Sequence, residues 1–358
     1  MKKGYIVLEN GLVFEGERFG AKKDVIGELV FTTGVEGYIE TLTDPCYYGQ
    51  IILQTFPLIG NYGWIDADTD GRAISASAYI VREWCDTPSN FRCEGNIDAE
   101  LTARGIPGIC GVDTRELTGI IRENGAMNVC ICDDPKKVDM EALKSYKVKK
   151  AVSATVKAGE TACVGSDDAE FNVTVINYGN TYKVEETLSA MGCKVKTVSY
   201  DATAESILAD EPDGIVLSGG PGNPTENKKC VEEIKPLIGK APIFAIGLGH
   251  QMLALAVGGK TYKLKPGHRG GNQPVKSNEF KGVYITTQNH GYAVKSESVK
   301  KLGGVISFTN GNDGSCEGVT YPDIKAFSIQ FDPNACAGPE DAKEFLFGRF
   351  ITMMGGNN

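Results

Sequence analysis

The second half of this 358-residue chain alternates short apolar runs with helix-like stretches, and this alternation is what most constrains its fold. Apolar runs of strand length cover residues 172–176, 194–199, 214–218 and 243–246, and helical patterns cover residues 182–191, 204–209 and 226–238. Such alternation is typical of α/β folds in which a mainly parallel, doubly wound sheet carries helices on both faces. Ligands of such sheets bind beyond the carboxyl ends of the strands, which is where residues 218–222 and Gly247 fall.

Residues 242–251 predict a strand that ends in a tight turn and opens directly into a helix, with Gly247 at the turn. Enzymes with α/β folds use a turn of this kind to lift a nucleophilic side chain clear of the sheet, beside backbone N–H groups that form an oxyanion hole. Glycine accepts the strained dihedral angles of such a turn without a steric penalty, but it presents no side chain. The pattern therefore indicates either an ordinary tight connection or a nucleophile elbow without its nucleophile.

The first half of the chain has a different pattern. Strand-like runs at residues 5–8, 12–14, 29–32 and 51–55 are separated by glycine turns, which predicts a β-rich α/β domain with a few helices. Residues 147–170 lose this periodicity and become small and polar, as connectors do. We therefore predict one domain over residues 1–150, a linker over 151–170 and a second domain over 171–358.

Charge and hydropathy exclude some classes of partner. The net charge is −9 and the basic residues are scattered, so no nucleic-acid partner is expected. The apolar run near the start is too short for a signal sequence, and no stretch approaches the length of a membrane span. The sequence thus predicts a cytoplasmic protein with no membrane association, whose partner is a small molecule or another protein.

The eleven cysteines are an odd number spread thinly along the chain, which favours reduced thiols over a disulfide framework. Cys130-Ile131-Cys132 lacks the two-residue spacer and the second pair of ligands that a zinc knuckle needs. No metal site is predicted from the sequence.

With these motifs in place, the chain resembles the small subunit of carbamoyl phosphate synthetase, whose C-terminal half is a class I glutamine amidotransferase domain. In the first half the resemblance rests on residues 37–40, 42–45, 57–63, 89–91 and 111–115. In the second half it rests on residues 217–224, 248–251, 267–272 and 289–294. The resemblance runs nearly end to end, and its first-half motifs separate this family from other amidotransferases.

The resemblance also implies a catalytic triad, and this chain departs from it at all three positions. The family hydrolyses glutamine with a cysteine, a histidine that takes its proton and a glutamate that orients the histidine. Here Gly247 stands for the cysteine, Asp332 for the histidine and Asn334 for the glutamate. No thiolate forms at a glycine, a carboxylate does not act as imidazole does, and an asparagine supplies no charge to steady an imidazolium. The sequence predicts a degenerate triad with no intact catalytic residue.

Residues that would bind the substrate are largely present. By resemblance, Gly220, Gly222 and the Leu248 backbone would line the pocket and oxyanion hole, and Gln251 would contact glutamine. Asn289, Gly291 and Tyr292 would hold the amino-acid end of glutamine, and Cys46 stands where the family has a serine that touches it. Glutamine binding without turnover is one reading, although the charge of Asp332 would either repel the substrate carboxylate or pair with its ammonium group.

Three functional hypotheses follow. The first is a non-hydrolytic subunit of a carbamoyl phosphate synthetase that uses free ammonia, with a large subunit as partner, ATP and magnesium bound by that partner, and no cofactor on this chain. The second is a pseudoenzyme that binds glutamine or a related metabolite as a sensor or scaffold. The third is a glutaminase with an unexpected nucleophile, Cys46 or Cys336.

The resemblance implies a family role in pyrimidine and arginine synthesis. Residues 177–186 also depart from the family pattern, which puts normal docking to the partner in question.

Overall fold

The structure, a computed structural model, describes residues 2–181, 183–279, 282–334, 339 and 342–355. The chain forms two compact units. The first comprises residues 1–149 and 265–270, and the second comprises residues 150–264 and 271–358. The short return segment 265–270 has no signal in the sequence, because it lies inside a longer strand.

The first unit is built on a closed barrel. Its strands are β1 (Lys2–Leu8), β2 (Val13–Gly20), β3 (Val25–Thr32), β4 (Gln50–Gln54), β6 (Ala78–Ile80), β8 (Pro107–Cys110) and β9 (Met127–Cys132), with β5 (Leu58–Ile59) and β7 (Glu83–Trp84) paired separately. The barrel order is β1-β2-β8-β6-β4-β3-β9, and β9 closes it by pairing with β1. The four strand-like runs predicted in this half fall within or overlap β1 to β4, and the β-rich prediction is confirmed.

Short helices cover the barrel. They are α1 (Tyr38–Thr43), α2 (Ile97–Ala103), α3 (Thr114–Asn124) and α4 (Met140–Ser145). The longest of them, α3, begins at Asp113, whose side chain accepts hydrogen bonds from the N–H groups of Arg115 and Glu116. Its apolar face buries Leu117 and Ile121. A side-chain cap at the start and a buried apolar stripe thus fix this helix to the barrel.

The second unit contains a ten-stranded sheet. Its strands are β10 (Thr161–Val164), β11 (Phe171–Asn177), β12 (Cys193–Ser199), β13 (Gly214–Leu217), β14 (Ile243–Ile246), β15 (Thr261–Ser277), β16 (Val283–Val294), β17 (Val305–Asn310), β18 (Cys316–Tyr321) and β19 (Ala326–Ile329). Their order is β10-β12-β11-β13-β14-β19-β18-β16-β15-β17. The pairs from β12 through β11, β13 and β14 to β19 are parallel, which confirms the predicted parallel core.

Helices lie on both faces of this sheet. They are α5 (Ala151–Thr155), α6 (Val184–Ala190), α7 (Ala204–Leu208), α8 (Lys228–Leu237), α9 (Leu248–Ala256), α10 (Ser296–Lys300) and α11 (Lys343–Met354). Alternate residues of β14 feed two separate cores: Ile243 and Ala245 pack with α8 and α9, whereas Phe244 and Ile246 pack with α11. Burial on both faces explains why these strands read as continuous apolar runs.

The predicted linker differs from the structure. Residues 151–170 belong to the second unit and include α5 and the strand β10, which pairs antiparallel with β12. All four residues of β10 are exposed at the edge of the sheet. An exposed edge strand needs no apolar alternation, so its sequence resembled a connector.

Candidate functional site

The carboxyl ends of three neighbouring parallel strands, β13, β14 and β19, meet at one edge of the second unit's sheet. Backbone hydrogen bonds join the segments that leave them. The Gly247 N–H donates to the Ile329 carbonyl at 2.9 Å, and the Gly249 N–H donates to the Ser218 carbonyl at 3.0 Å. The two loops that the sequence placed in one crevice are therefore joined to each other through the start of α9.

Gly247 connects β14 directly to α9 with φ 55° and ψ −112°. This region of dihedral space is sparsely populated, and a residue with a Cβ held there typically stores about 1–3 kcal/mol of strain. The predicted strand, tight turn and helix are confirmed, and the turn has the sharp geometry of a nucleophile elbow. At the position where a nucleophile would project there is a hydrogen atom.

The first turn of α9 is packed against β13 through a second glycine. A Cβ on Gly249 would lie 2.3 Å from the Leu217 carbonyl oxygen, so only glycine permits this approach. Gly247 offers no side-chain cap, and no residue in the described ranges accepts a hydrogen bond from the Leu248 N–H. This N–H lies at the positive end of the helix and is able to donate to a bound oxygen.

The loop after β13 is held close to the same place. A Cβ on Gly220 would lie 2.1 Å from the Tyr178 carbonyl oxygen and 3.2 Å from the Leu248 side chain. Gly222 has φ +93°, a backbone conformation that side chains rarely adopt. The Ser218 hydroxyl accepts a hydrogen bond from the Tyr178 N–H at 2.8 Å, which fixes the base of the loop. Gly220 therefore lies beside Leu248.

Gln251 is 3% exposed and is bound by the protein itself. Its Nε2 donates to the Tyr292 carbonyl at 2.9 Å and to the Gln330 Oε1 at 2.8 Å. Both amide hydrogens are thus in place between α9, β16 and the end of β19, and only the Oε1 atom remains for a ligand. Sequence reasoning missed the part that Gln330 plays in this network.

The segment after β19 carries the two remaining triad positions. The Asp332 N–H donates to the Thr287 carbonyl at 3.0 Å in an isolated antiparallel bridge. The Asp332 Oδ1 accepts a hydrogen bond from the Asn334 N–H at 2.7 Å, and the Asn334 Oδ1 accepts one from the Thr187 hydroxyl at 3.3 Å. Asn334 is buried. The Asp332 side chain therefore stabilises a local turn, an arrangement typical of aspartate. The Asn334 side chain instead joins this segment to α6 through Thr187.

The motif that contains Asn289, Gly291 and Tyr292 lies on β16. His290, between them, is buried, with its Nδ1 2.8 Å from the Tyr292 carbonyl and its Nε2 3.0 Å from the Gln288 Oε1. The imidazole of His290 thereby contacts the Tyr292 carbonyl, which also accepts the hydrogen bond from Gln251.

His250 is completely buried in α9, and its Nδ1 lies 2.7 Å from the Ser328 hydroxyl. Burial lowers the pKa of His250 to about 3, because a charged imidazolium would be cut off from water. His250 is therefore neutral at physiological pH and holds α9 to β19. The pairing of His250 with Ser328 has no local sequence signal, because it joins α9 to β19 through side chains 78 positions apart. The contacts of His290, in contrast, stay within β16.

The two candidate replacement nucleophiles are placed differently. Cys46 lies in the first unit, is 7% exposed, and its N–H donates to the Asp44 Oδ1 at 2.9 Å. The other predicted pocket residues belong to the second unit. Cys336 lies outside the described residues.

Across the described ranges, no helix is both long and apolar enough to cross a membrane.

Comparisons with known proteins agree with this architecture. Residues 6–131 match the carbamoyl-phosphate synthase small chain CPSase domain, and residues 174–353 match the class-I glutamine amidotransferase family. The chain is 42% identical to the carbamoyl phosphate synthase small chain of Clostridium perfringens, over 98% of this chain and 99% of that protein. It is 44% identical to the small chain of Bacillus thuringiensis subsp. konkukian, over 98% and 96% of the two chains. It is 41% identical to the pyrimidine-specific small chain of Halalkalibacterium halodurans, over 99% and 98%.

Proposed function

Because this chain belongs to the carbamoyl-phosphate synthase small-chain family, we propose that it acts as the small chain of a synthase that takes free ammonia as its nitrogen source. In this proposal the amidotransferase unit does not hydrolyse glutamine and serves a structural or regulatory role. The partner is a large chain that binds ATP and magnesium, and this chain carries no cofactor.

The observation that carries the proposal is the elbow at Gly247. The backbone at φ 55° and ψ −112° is in place for a nucleophile, and the residue has no side chain. Glutaminase chemistry by this route needs a sulfur atom that forms a thioester with the glutamine side chain and releases ammonia. Without that atom the covalent step has no acceptor for the acyl group.

The residues after β19 support the same conclusion. A general base must take a proton from the nucleophile and return it to the leaving amine. Asp332 instead accepts a hydrogen bond from the Asn334 N–H, and the side-chain oxygen of Asn334 accepts one from Thr187. Loss of a whole triad typically removes about 10⁶-fold of the rate, or ~8 kcal/mol.

The test is a paired assay of the chain with a cognate large chain, ATP and bicarbonate. One arm supplies glutamine and follows glutamate release, and the other supplies ammonium and follows carbamoyl phosphate. We expect no glutamate above the large chain alone, and an ammonium-dependent rate that changes when this chain is added. Glutamate release at a rate similar to the ammonium-dependent rate would contradict the proposal. An ammonium-dependent rate that is the same with and without this chain would also contradict it.

A second candidate function is glutamine binding without turnover. It is favoured by the Leu248 N–H, which has no acceptor within the described part of the chain, and by the Gly220 loop beside it. Calorimetry with glutamine measures this directly. Gly220→Ala is the matched variant, because its Cβ would lie 2.1 Å from the Tyr178 carbonyl oxygen and displace the loop. Two results would count against a glutamine sensor. One is no heat of glutamine binding with the unmodified chain, and the other is the same heat with the unmodified chain and with Gly220→Ala.

A glutaminase with an unexpected nucleophile is the weakest candidate. Cys46 is buried in the first unit, and the elbow presents no thiol. Replacing Cys46 and Cys336 with serine together tests it, since any glutamate release that survives the double substitution cannot come from either thiol. The proposed cellular setting is the cytoplasm, with carbamoyl phosphate passing to pyrimidine or arginine synthesis.

A further inference from the structure

A cavity of about 410 Å³ in the first unit contains two neighbouring thiols. Its lining comprises Asp24, Val25, Ile26, Cys130, Cys132, Asp134, Lys137, Val138 and Asp139. Cys130 and Cys132 occupy alternate positions of β9, so their side chains emerge on the same face of the strand. They are 6% and 2% exposed, and the Cys130 Sγ donates to the Ile131 carbonyl at 3.8 Å, between the two cysteines in the chain. Neither cysteine is among the residues assigned to the amidotransferase site.

The donors and charges of this cavity select a soft cation. Thiolates are soft ligands that favour Cu(I) over hard ions. The rim carries three carboxylates, Asp24, Asp134 and Asp139, against one amine, Lys137, and so attracts positive charge. Among the described residues, no third His, Cys, Asp or Glu has a ligand atom within 4.8 Å of both thiols. Zinc requires three or four protein ligands, whereas Cu(I) is satisfied by two thiolates.

A buried cation lies nearby to balance the charge of such a complex. Arg18 is 5% exposed, and its Nε and Nη1 atoms have no hydrogen-bond partner among the residues that the structure describes. Nη1 is 3.9 Å from the Asp24 carboxylate and Nε is 4.0 Å from that of Asp133. Burial raises the pKa of Cys130 to about 12 and also raises that of Cys132, and the Arg18 charge opposes this rise in both thiols. The same guanidinium would stabilise a bis-thiolate complex of net charge −1.

We propose that Cys130 and Cys132 form a two-coordinate site for Cu(I) in the first unit. Binding replaces the two S–H protons: one Cu(I) ion joins two thiols, two protons leave to solvent, and no electron is transferred. Because the protons are released, affinity rises with pH below the pKa of the thiols. The Cys-x-Cys spacing is unsuited to a zinc knuckle but suits an ion that needs only two sulfur ligands.

The test is an anaerobic titration of the reduced, metal-free full chain with Cu(I), in competition with bicinchoninate. We expect one tightly bound ion per chain and two protons released per ion. Cys130→Ser and Cys132→Ser should each weaken binding at least about 100-fold, since loss of a ligand should exceed the 10–100-fold loss typical of its supporting groups. Cys110→Ser is the matched control, because burial raises the pKa of this first-unit thiol to about 11 as well.

Either serine variant binding Cu(I) as tightly as the unmodified chain would overturn the proposal, as would an equal loss in Cys110→Ser. A second measurement does not depend on how the variants fold. Copper X-ray absorption of the loaded, unmodified chain should show a first shell of two sulfur atoms. A shell that contains nitrogen or oxygen ligands would overturn the proposal.

Discussion

The turn after β14 and the segment after β19 leave neighbouring parallel strands at the same edge of one sheet, yet they carry different parts of an amidotransferase site. At the first, the backbone is complete: Gly247 has elbow dihedral angles and α9 starts at Leu248. At the second, the Asp332 side chain stabilises a local turn and the Asn334 side chain accepts a hydrogen bond from Thr187 of α6. The comparison shows that backbone geometry and side-chain chemistry have separate determinants. In this chain the elbow conformation is present at a residue that carries no side chain.

The largest expected effect comes from returning the missing atoms to the intact backbone. We expect Gly247→Cys with Asp332→His and Asn334→Glu to raise glutamate release by about 10⁴-fold or more over the unmodified chain, because a triad accounts for up to about 10⁶-fold. The Cβ at residue 247 should cost about 1–3 kcal/mol of stability. Glutamate release with excess glutamine is the measurement.

The control is Gly247→Ala in the same background, which restores the Cβ and the base but no sulfur. It should release no more glutamate than the unmodified chain. If the triple variant is equally inactive although it folds, the backbone at this edge differs from a working elbow, and the contrast between the two segments fails.

The second effect tests whether backbone approach is what preserves the elbow. Gly249→Ala places a Cβ 2.3 Å from the Leu217 carbonyl oxygen, and we expect it to lower the free energy of unfolding by about 3 kcal/mol. Gly119→Ala in α3 meets no atom within 4 Å and should change stability by no more than about 1 kcal/mol. Urea denaturation of the two variants compares them, and equal stability would show that α9 adjusts freely.

The third effect sharpens the comparison at Gln251, which links both sides of the site. Gln251→Met removes hydrogen bonds to the Tyr292 carbonyl, which keeps its contact with His290, and to the Gln330 Oε1, which loses this donor. We expect a cost of about 2 kcal/mol. A double-mutant cycle with Gln330→Met should give a coupling energy of about 1 kcal/mol between the two side chains. A coupling near zero would mean that the two amides do not act together.

The smallest expected effect is a dependence of the free energy of unfolding on pH. Burial lowers the pKa of His250 to about 3, whereas the unfolded chain binds the proton near pH 6.5. The contribution of His250 to the free energy of unfolding is fully present above pH 6.5. It decreases as the pH drops from 6.5 towards 3, by up to ~1.4 kcal/mol per pH unit. Urea denaturation between pH 7.5 and 5.5, a range over which the loss is about 1.4 kcal/mol, should show this slope reduced in His250→Asn, which keeps a donor for Ser328 but does not titrate. If the free energies of unfolding of the variant and the unmodified chain depend on pH in the same way, His250 is not the group that takes up the proton on unfolding.

Local patterns in the sequence were enough for the elbow and the parallel strands around it. Residues 242–251 specify a buried strand, a strained turn and a helix through near neighbours alone. The strand Thr161–Val164 could not be found in this way, because an exposed edge strand lacks apolar alternation. The contacts of His250 with Ser328 and of Gln251 with Gln330 were also out of reach, since they join residues 78 and 79 positions apart.

The assignment of residues 265–270 to the first unit has a consequence for how that unit is inherited. Within the unit, the Ala126 N–H donates to the Lys265 carbonyl at 2.9 Å, so the return segment completes a hydrogen bond next to β9. The first unit is therefore not one continuous stretch of coding sequence. A recombination or gene fission at residue 149 would separate residues 265–270 from the rest of the first unit.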